Sequence, residues 1–231
     1  MLKNDNRAAP GLPLLLREIG GFAAMRALAR FGPAVQFEQN SASRPAIIVP
    51  GFMADDNTTA RLRRSLAASG ISAFGWGLGR NRGIKADTLE RIDTRVAAIQ
   101  AEIGADTPLN VIGWSLGGLI AREYGKLAPA RVAKVITLGS PFSGDIRGNN
   151  AWRAYEFVAG HKVDDPPIPA ALHEKPPVPT IAFWSRSDGV VSPASARGEL
   201  DQADERIELD CTHMAFVSKS SAIRAVAGVL A

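Results

Sequence analysis

From residue 46 onward the chain alternates short, unbroken apolar runs with longer amphipathic stretches, and this alternation narrows the possible folds more than any other feature. Ala46-Ile47-Ile48-Val49 contains no polar side chain, as a strand buried on both faces requires. A helix is expected over 57–69, with Asn57, Thr58 and Thr59 as candidate caps and Gly70 as its stop. Further strands are expected at 71–74, 109–112, 132–138, 178–184 and 206–209, and helices at 87–103, 116–127 and 215–230. Within 87–103, Leu89, Ile92, Val96, Ile99 and Ile103 fall on one stripe. Strands separated by helices of this length imply right-handed crossovers and a mostly parallel sheet of about six strands with helices on both faces. In such an α/β sheet the active site lies beyond the carboxyl ends of the strands.

Two segments stand outside the alternation. Residues 12–31 read as a helix carrying Leu15, Ile19 and Phe22 among Arg17, Arg26 and Arg30, weakened by Gly20-Gly21 and ended by Gly32-Pro33. With a linker at 41–45, this divides the chain into an N-terminal helical extension, 1–44, and a main domain, 45–231. The second segment, 141–177, holds Pro141, Pro166, Pro167, Pro169, Pro176 and Pro177 with the aromatics Trp152, Tyr155 and Phe157. A stretch of that length without strand character inside a domain is expected to be a functional lid or insertion.

Composition excludes several classes. With 231 residues, 46% hydrophobic and 22% charged, the chain is neither disordered nor membrane-spanning, and its apolar run at Leu12–Leu16 is interrupted by Pro13. The mixed charges of Met1–Arg7 argue against a secretory signal, and the single Cys211 permits no intrachain disulfide or thiolate metal cage, so a cytoplasmic setting is expected. The net charge is +4, but it is uneven: residues 1–100 carry +6 and 101–231 carry −2. The densest cations are Arg61, Arg63, Arg64, Arg80, Arg82, Lys85 and Arg91. Lacking an aromatic-basic stripe, this region points away from nucleic acid and leaves a solvated face, an anionic acyl carrier or a membrane surface as readings.

The most informative stretch is Gly113-Trp114-Ser115-Leu116-Gly117-Gly118, a Gly-x-Ser-x-Gly placed between an expected strand and an expected helix. A serine on a sharp strand-to-helix turn projects its hydroxyl, and flanking glycines admit the close backbone approach the turn needs. The following helix aims free N–H groups at developing negative charge. Gly75-Trp76-Gly77-Leu78-Gly79 fails as a dinucleotide loop, since Arg82 stands where the third glycine is required and no helix opens there. There is no Walker sequence, His-Glu-x-x-His or carboxylate cluster of metal spacing.

On these residues, 45–231 resembles the α/β-hydrolase family, in particular its compact lipases and esterases. The resemblance implies an order of nucleophile, acid and histidine along the chain. It assigns Ser115 as nucleophile and His213, in the loop between the last strand and last helix, as general base. Asp188 follows an apolar strand and precedes Gly189, which makes it the expected acid; Asp145 and Asp210 are the alternatives. The oxyanion hole is expected from the N–H of Leu116 and that of Phe52, with Met53 as second choice, in a Pro50-Gly51 loop resembling that of many lipases. Trp114, Trp152, Tyr155 and Phe157 are expected to bind substrate. The family resemblance therefore implies ester hydrolysis through an acyl-enzyme on a small acyl ester or lipid, without cofactor or metal. Thioester hydrolysis or acyl transfer from a carrier is the alternative within the fold, and a non-catalytic lipid-binding protein the alternative outside it.

Overall fold

In the computed structural model, the described residues are 8–38 and 44–230; residues 1–7 and most of the expected linker lie outside them. The chain order is α1 (Leu12–Phe31), β1 (Ala46–Val49), α2 (Ala60–Ala68), β2 (Ala73–Gly75), α3 (Thr88–Ile103), β3 (Leu109–Trp114), α4 (Leu116–Leu127), β4 (Val132–Leu138), α5 (Trp152–Ala159), β5 (Thr180–Trp184), α6 (Pro193–Arg197), β6 (Glu205–Glu208) and α7 (Ser220–Gly228). All six strands run parallel in one sheet ordered β2-β1-β3-β4-β5-β6. The alternation in the sequence and this topology agree: the apolar runs of β1, β3 and β5 fill strands buried on both faces, while the edge strands β2 and β6 are partly exposed.

Two apolar clusters cover the sheet. On one side Val49, Val111 and Val135 meet Ile92, Val96 and Ile99 of α3 and Leu119 and Tyr124 of α4. On the other, Ile48, Ile112, Ile136 and Phe183 meet Leu62 and Leu66 of α2, Ile223 and Val226 of α7, and Met25 of α1. Each fully buried Ile, Leu or Phe contributes about 1.5–3 kcal/mol, so these two layers dominate the stability of the fold.

The structure differs from the sequence-based expectation at the carboxyl end. The helix expected from residue 215 begins at Ser220, and the preceding residues His213–Val217 form a tight 3-10 turn. Residues 141–177 contain one short helix, α5, and otherwise irregular chain. No helix among the described residues is long and apolar enough to cross a membrane.

Candidate active site

β3 delivers Ser115 to the carboxyl edge of the sheet, and α4 begins at the next residue. Ser115 has φ +55°, a left-handed value that costs a non-glycine residue about 1–3 kcal/mol and is held here by its surroundings. Packing accounts for the glycines on either side. A Cβ at Gly117 would lie 2.2 Å from the Val49 carbonyl oxygen, and one at Gly113 2.2 Å from that of Gly117. A side chain at Gly117 would push the turn away from β1, and one at Gly113 would push the first turn of α4 away from β3.

Asp188 and His213 come from the loops after β5 and β6 and meet in the interior. The Asp188 Oδ2 lies 2.8 Å from His213 Nδ1, with the side chains only 1% and 2% exposed. The other carboxylate oxygen of Asp188 accepts the N–H groups of Val190 and Val191, each at 2.8 Å, which fixes the carboxylate plane. Burial works against charging the His213 imidazole, but the Asp188 charge and hydrogen bond, with a further contribution from Glu18, outweigh it and hold its pKa above the ordinary histidine value. The alternative acids lie elsewhere: Asp145 accepts from the Arg147 N–H, and Asp210 from the Ser187 hydroxyl.

Of the candidate oxyanion donors, the backbone N–H groups of Phe52 and Leu116 have no partner among the described residues. The Met53 N–H instead donates to the Asn81 carbonyl at 2.7 Å, which engages the second-choice donor.

An apolar pocket opens beside this edge. Ten of its fourteen lining residues come from 141–177, among them Ile146, Trp152, Tyr155 and Leu172; Phe52, Ile84, Leu116 and Leu119 complete it. No lining residue is charged. Of the four expected substrate contacts, Trp152 and Tyr155 line this pocket, and Trp114 and Phe157 lie away from it. Trp114 belongs to the opposite face of the sheet, because side chains alternate along β3; its ring lies 5.6 Å from that of His213, and its Nε1–H donates to the His213 carbonyl. Phe157 is 90% exposed, since two residues beyond Tyr155 a helix has turned by more than half a revolution.

The 141–177 segment is pinned rather than loosely draped. Buried Arg122 of α4 donates to the carbonyls of Leu172, Glu174 and Gln202 and lies 4.1 Å over the Phe142 ring. Burial pulls its guanidinium down to about 10, with Glu123 acting in the opposite direction. The basic region is also corrected. Arg61 is buried against the Pro33 and Ser218 carbonyls, Arg63 bonds the Asp56 carbonyl, and Arg64 caps the last turn of α1 through Ala29 and Gly32. Arg64 stays exposed despite these bonds, as do Arg80, Arg82, Lys85 and Arg91, the last beside Asp87.

Two residues essential to this geometry are not singled out by the sequence. The Ser185 hydroxyl donates to the Cys211 carbonyl at 2.6 Å and accepts from the Ser187 N–H, joining the acid and base loops. Glu18 of α1 joins the same loops from the other side. Its only signal in the sequence is that it is the sole acid within 12–31.

A family model described as alpha/beta hydrolase fold matches residues 66–165. No curated protein matches the chain. Among solved structures, the monoacylglycerol lipase of Paleococcus ferrophilus superposes with a TM-score of 0.56 at 15% identity, covering 81% of this chain and 95% of that one. The thioesterase domain from the curacin biosynthetic pathway gives 0.57 at 12% identity, covering 83% and 92%. The 2-hydroxy-6-oxo-6-phenylhexa-2,4-dienoate hydrolase of Rhodococcus sp. strain RHA1 gives 0.53 at 16% identity, covering 81% and 90%. Taken with the strand order and the turn that carries Ser115, these likenesses identify the chain as a protein of the α/β-hydrolase fold.

Proposed function

We propose that this protein is a serine hydrolase that cleaves carboxylic esters through an acyl-enzyme. The observations that carry the reading are the buried His213–Asp188 pair and a strained Ser115, both placed by loops at the carboxyl edge of the same sheet. His213 takes the Ser115 hydroxyl proton as Oγ bonds to the ester carbonyl carbon, and Asp188 holds the tautomer and stabilises the imidazolium. The carbonyl oxygen becomes an oxyanion that accepts the Phe52 and Leu116 N–H groups. His213 then returns the proton to the departing alcohol; water next gives a proton to His213 as its oxygen bonds to the acyl carbon, and His213 passes that proton to Ser115 Oγ as the acyl–Oγ bond breaks, releasing the acid. The uncharged pocket beneath Phe52 and Leu119 suits an acyl chain or an aromatic acyl group. A reducing, cytoplasmic setting goes with the single buried thiol of Cys211, which burial pushes up to about 12.

The test is hydrolysis of p-nitrophenyl esters of increasing acyl length. Wild type is expected to turn them over, and Ser115→Ala to lose at least about a thousandfold in kcat. Equal rates for the two proteins reject the reading.

A thioester or acyl-transfer reaction on an anionic carrier is the second reading. It is favoured by exposed Arg80, Arg82 and Lys85, which stand on the loop that also contributes Ile84 to the pocket. Replacing those three by Gln is expected to raise KM for a carrier-bound acyl group and leave a neutral ester unaffected; equal effects on both remove the carrier.

A further inference from the structure

Glu18 is 4% exposed, yet no cation accompanies its carboxylate among the described residues. It accepts three backbone N–H groups: Gly189 at 2.8 Å and His213 at 2.7 Å on Oε1, and Met214 at 3.1 Å on Oε2. Gly189 directly follows Asp188, so one side chain holds the acid loop and the base loop at once. The helix is fitted closely to both. A Cβ at Gly189 would lie 2.2 Å from the Leu14 carbonyl oxygen, and one at Gly21 3.0 Å from Thr212 Oγ1. A buried carboxylate lacking a counter-ion is unfavourable unless its hydrogen bonds are satisfied and a positive charge arises nearby. The imidazolium formed during proton transfer from Ser115 is such a charge.

Resting on the proposed Ser115–His213–Asp188 mechanism, we propose that Glu18 is a positioning residue. It sets the Asp188 and His213 loops against one another, and its negative charge favours the protonated imidazole. The other titratable or charged groups around His213 are Asp188 from the loop after β5, and Cys211, Asp210 and Lys219 from its own loop; Arg61 of α2 binds the Ser218 carbonyl at the far end of the turn. Glu18 is the only one of these contributed by α1.

The decisive variant is Glu18→Gln, which keeps size and loses charge, with Glu18→Asp as a second that keeps charge and shortens the reach. Two readouts are needed: the His213 titration midpoint by NMR, and the pH profile of Ser115 labelling by a fluorophosphonate. Glu18→Gln is expected to move the midpoint to lower pH and to reduce the plateau labelling rate about tenfold, with Glu18→Asp intermediate. An unchanged midpoint and rate overturn the inference, and so does a loss of thermal stability alone. Failure of the wild type to label, or equal labelling of Ser115→Ala, would overturn the serine mechanism instead, and the NMR midpoint would still judge Glu18.

The outer face of α1 carries a separate observation. Leu12, Leu16, Ile19 and Phe22 are exposed there, so the helix is apolar on the side away from the body as well as toward it. The charged side chains on that exposed side are Arg17, Arg26 and Arg30, because the single acid of the helix is turned inward. A second copy of this chain would set arginine against arginine. An anionic lipid surface supplies both the apolar cover and the opposite charge. We infer that α1 seats the protein on anionic phospholipid.

Co-sedimentation with phosphatidylglycerol–phosphatidylcholine vesicles tests this, against phosphatidylcholine alone. Wild type is expected to bind the anionic vesicles and to be released by salt. Leu16→Glu combined with Ile19→Glu is expected to abolish binding while leaving hydrolysis of a soluble ester unchanged. Equal sedimentation of variant and wild type overturns the inference, as does a wild-type dimer in solution that the double variant dissociates.

Discussion

α1 and the 141–177 segment both lie outside the strand-helix alternation, yet each builds one side of the same site by opposite means. α1 meets the Asp188 and His213 loops with a single buried charge, Glu18, bonded to backbone N–H groups of both. The 141–177 segment lines the pocket with mostly apolar side chains, none of them charged. Its own anchoring charge, Arg122, belongs to α4 and reaches out to its carbonyls. Position of reacting groups needs directional bonds, which a carboxylate supplies; accommodation of an acyl group needs surface without polar demand, which aromatic and aliphatic side chains supply.

The comparison can be broken most severely at Gly189, where α1 and the acid loop touch. Gly189→Val is expected to cost about 3 kcal/mol by thermal or urea unfolding and to remove most ester hydrolysis, because the added carbons meet the Leu14 carbonyl. A stable, fully active variant would show that α1 does not govern the loops. Next, Arg122→Leu takes its donors from the part-buried Leu172 and Glu174 carbonyls and the buried Gln202 carbonyl and should destabilise by about 2 kcal/mol, releasing 141–177 to limited proteolysis before the body. Unaltered protease resistance would mean the wall holds without its anchor.

Smaller effects separate binding from chemistry. Trp152→Ala is expected to raise KM for long-chain esters about tenfold while changing kcat little, and to have less effect on acetate esters. Equal effects across chain lengths would take Trp152 out of the acyl pocket. The pH profile supplies a further test. His213 must be neutral to accept the Ser115 proton, and its pKa is raised, so activity is expected to fall as pH drops through a midpoint above the ordinary histidine value. The sign for stability is the opposite: the protonated pair stabilises the fold fully below the unfolded-state pKa, and that contribution is lost as pH rises through the folded midpoint. An acid limb at or below the ordinary histidine value would contradict the buried pairing with Asp188. Phe157→Ser, on the exposed side of α5, should change stability by less than about 0.5 kcal/mol and activity not at all.

The sheet was legible because burial on both faces leaves unbroken apolar runs, and Ser115 was legible because its turn demands glycines on either side. The choice among Asp188, Asp145 and Asp210 rested on chain order, and the structure brings only Asp188 to His213. Within the basic region, Arg61 and Arg64 are drawn to backbone carbonyls near helix ends, which composition does not record, whereas Arg80, Arg82 and Lys85 stay exposed. Trp114 and Phe157 lie away from the pocket that Trp152 and Tyr155 line, because an aromatic residue type does not specify the face on which it lies.

What this sequence determined by itself was therefore periodic and local: the order of strands and helices, and the turn that presents a serine. Only the tertiary structure decided which distant groups converge. Glu18 reaches backbone donors 171, 195 and 196 residues away, and the receiving N–H groups are common to nearly every residue type, so no side-chain pattern marks them. Contacts between a side chain and distant main chain are written in geometry alone.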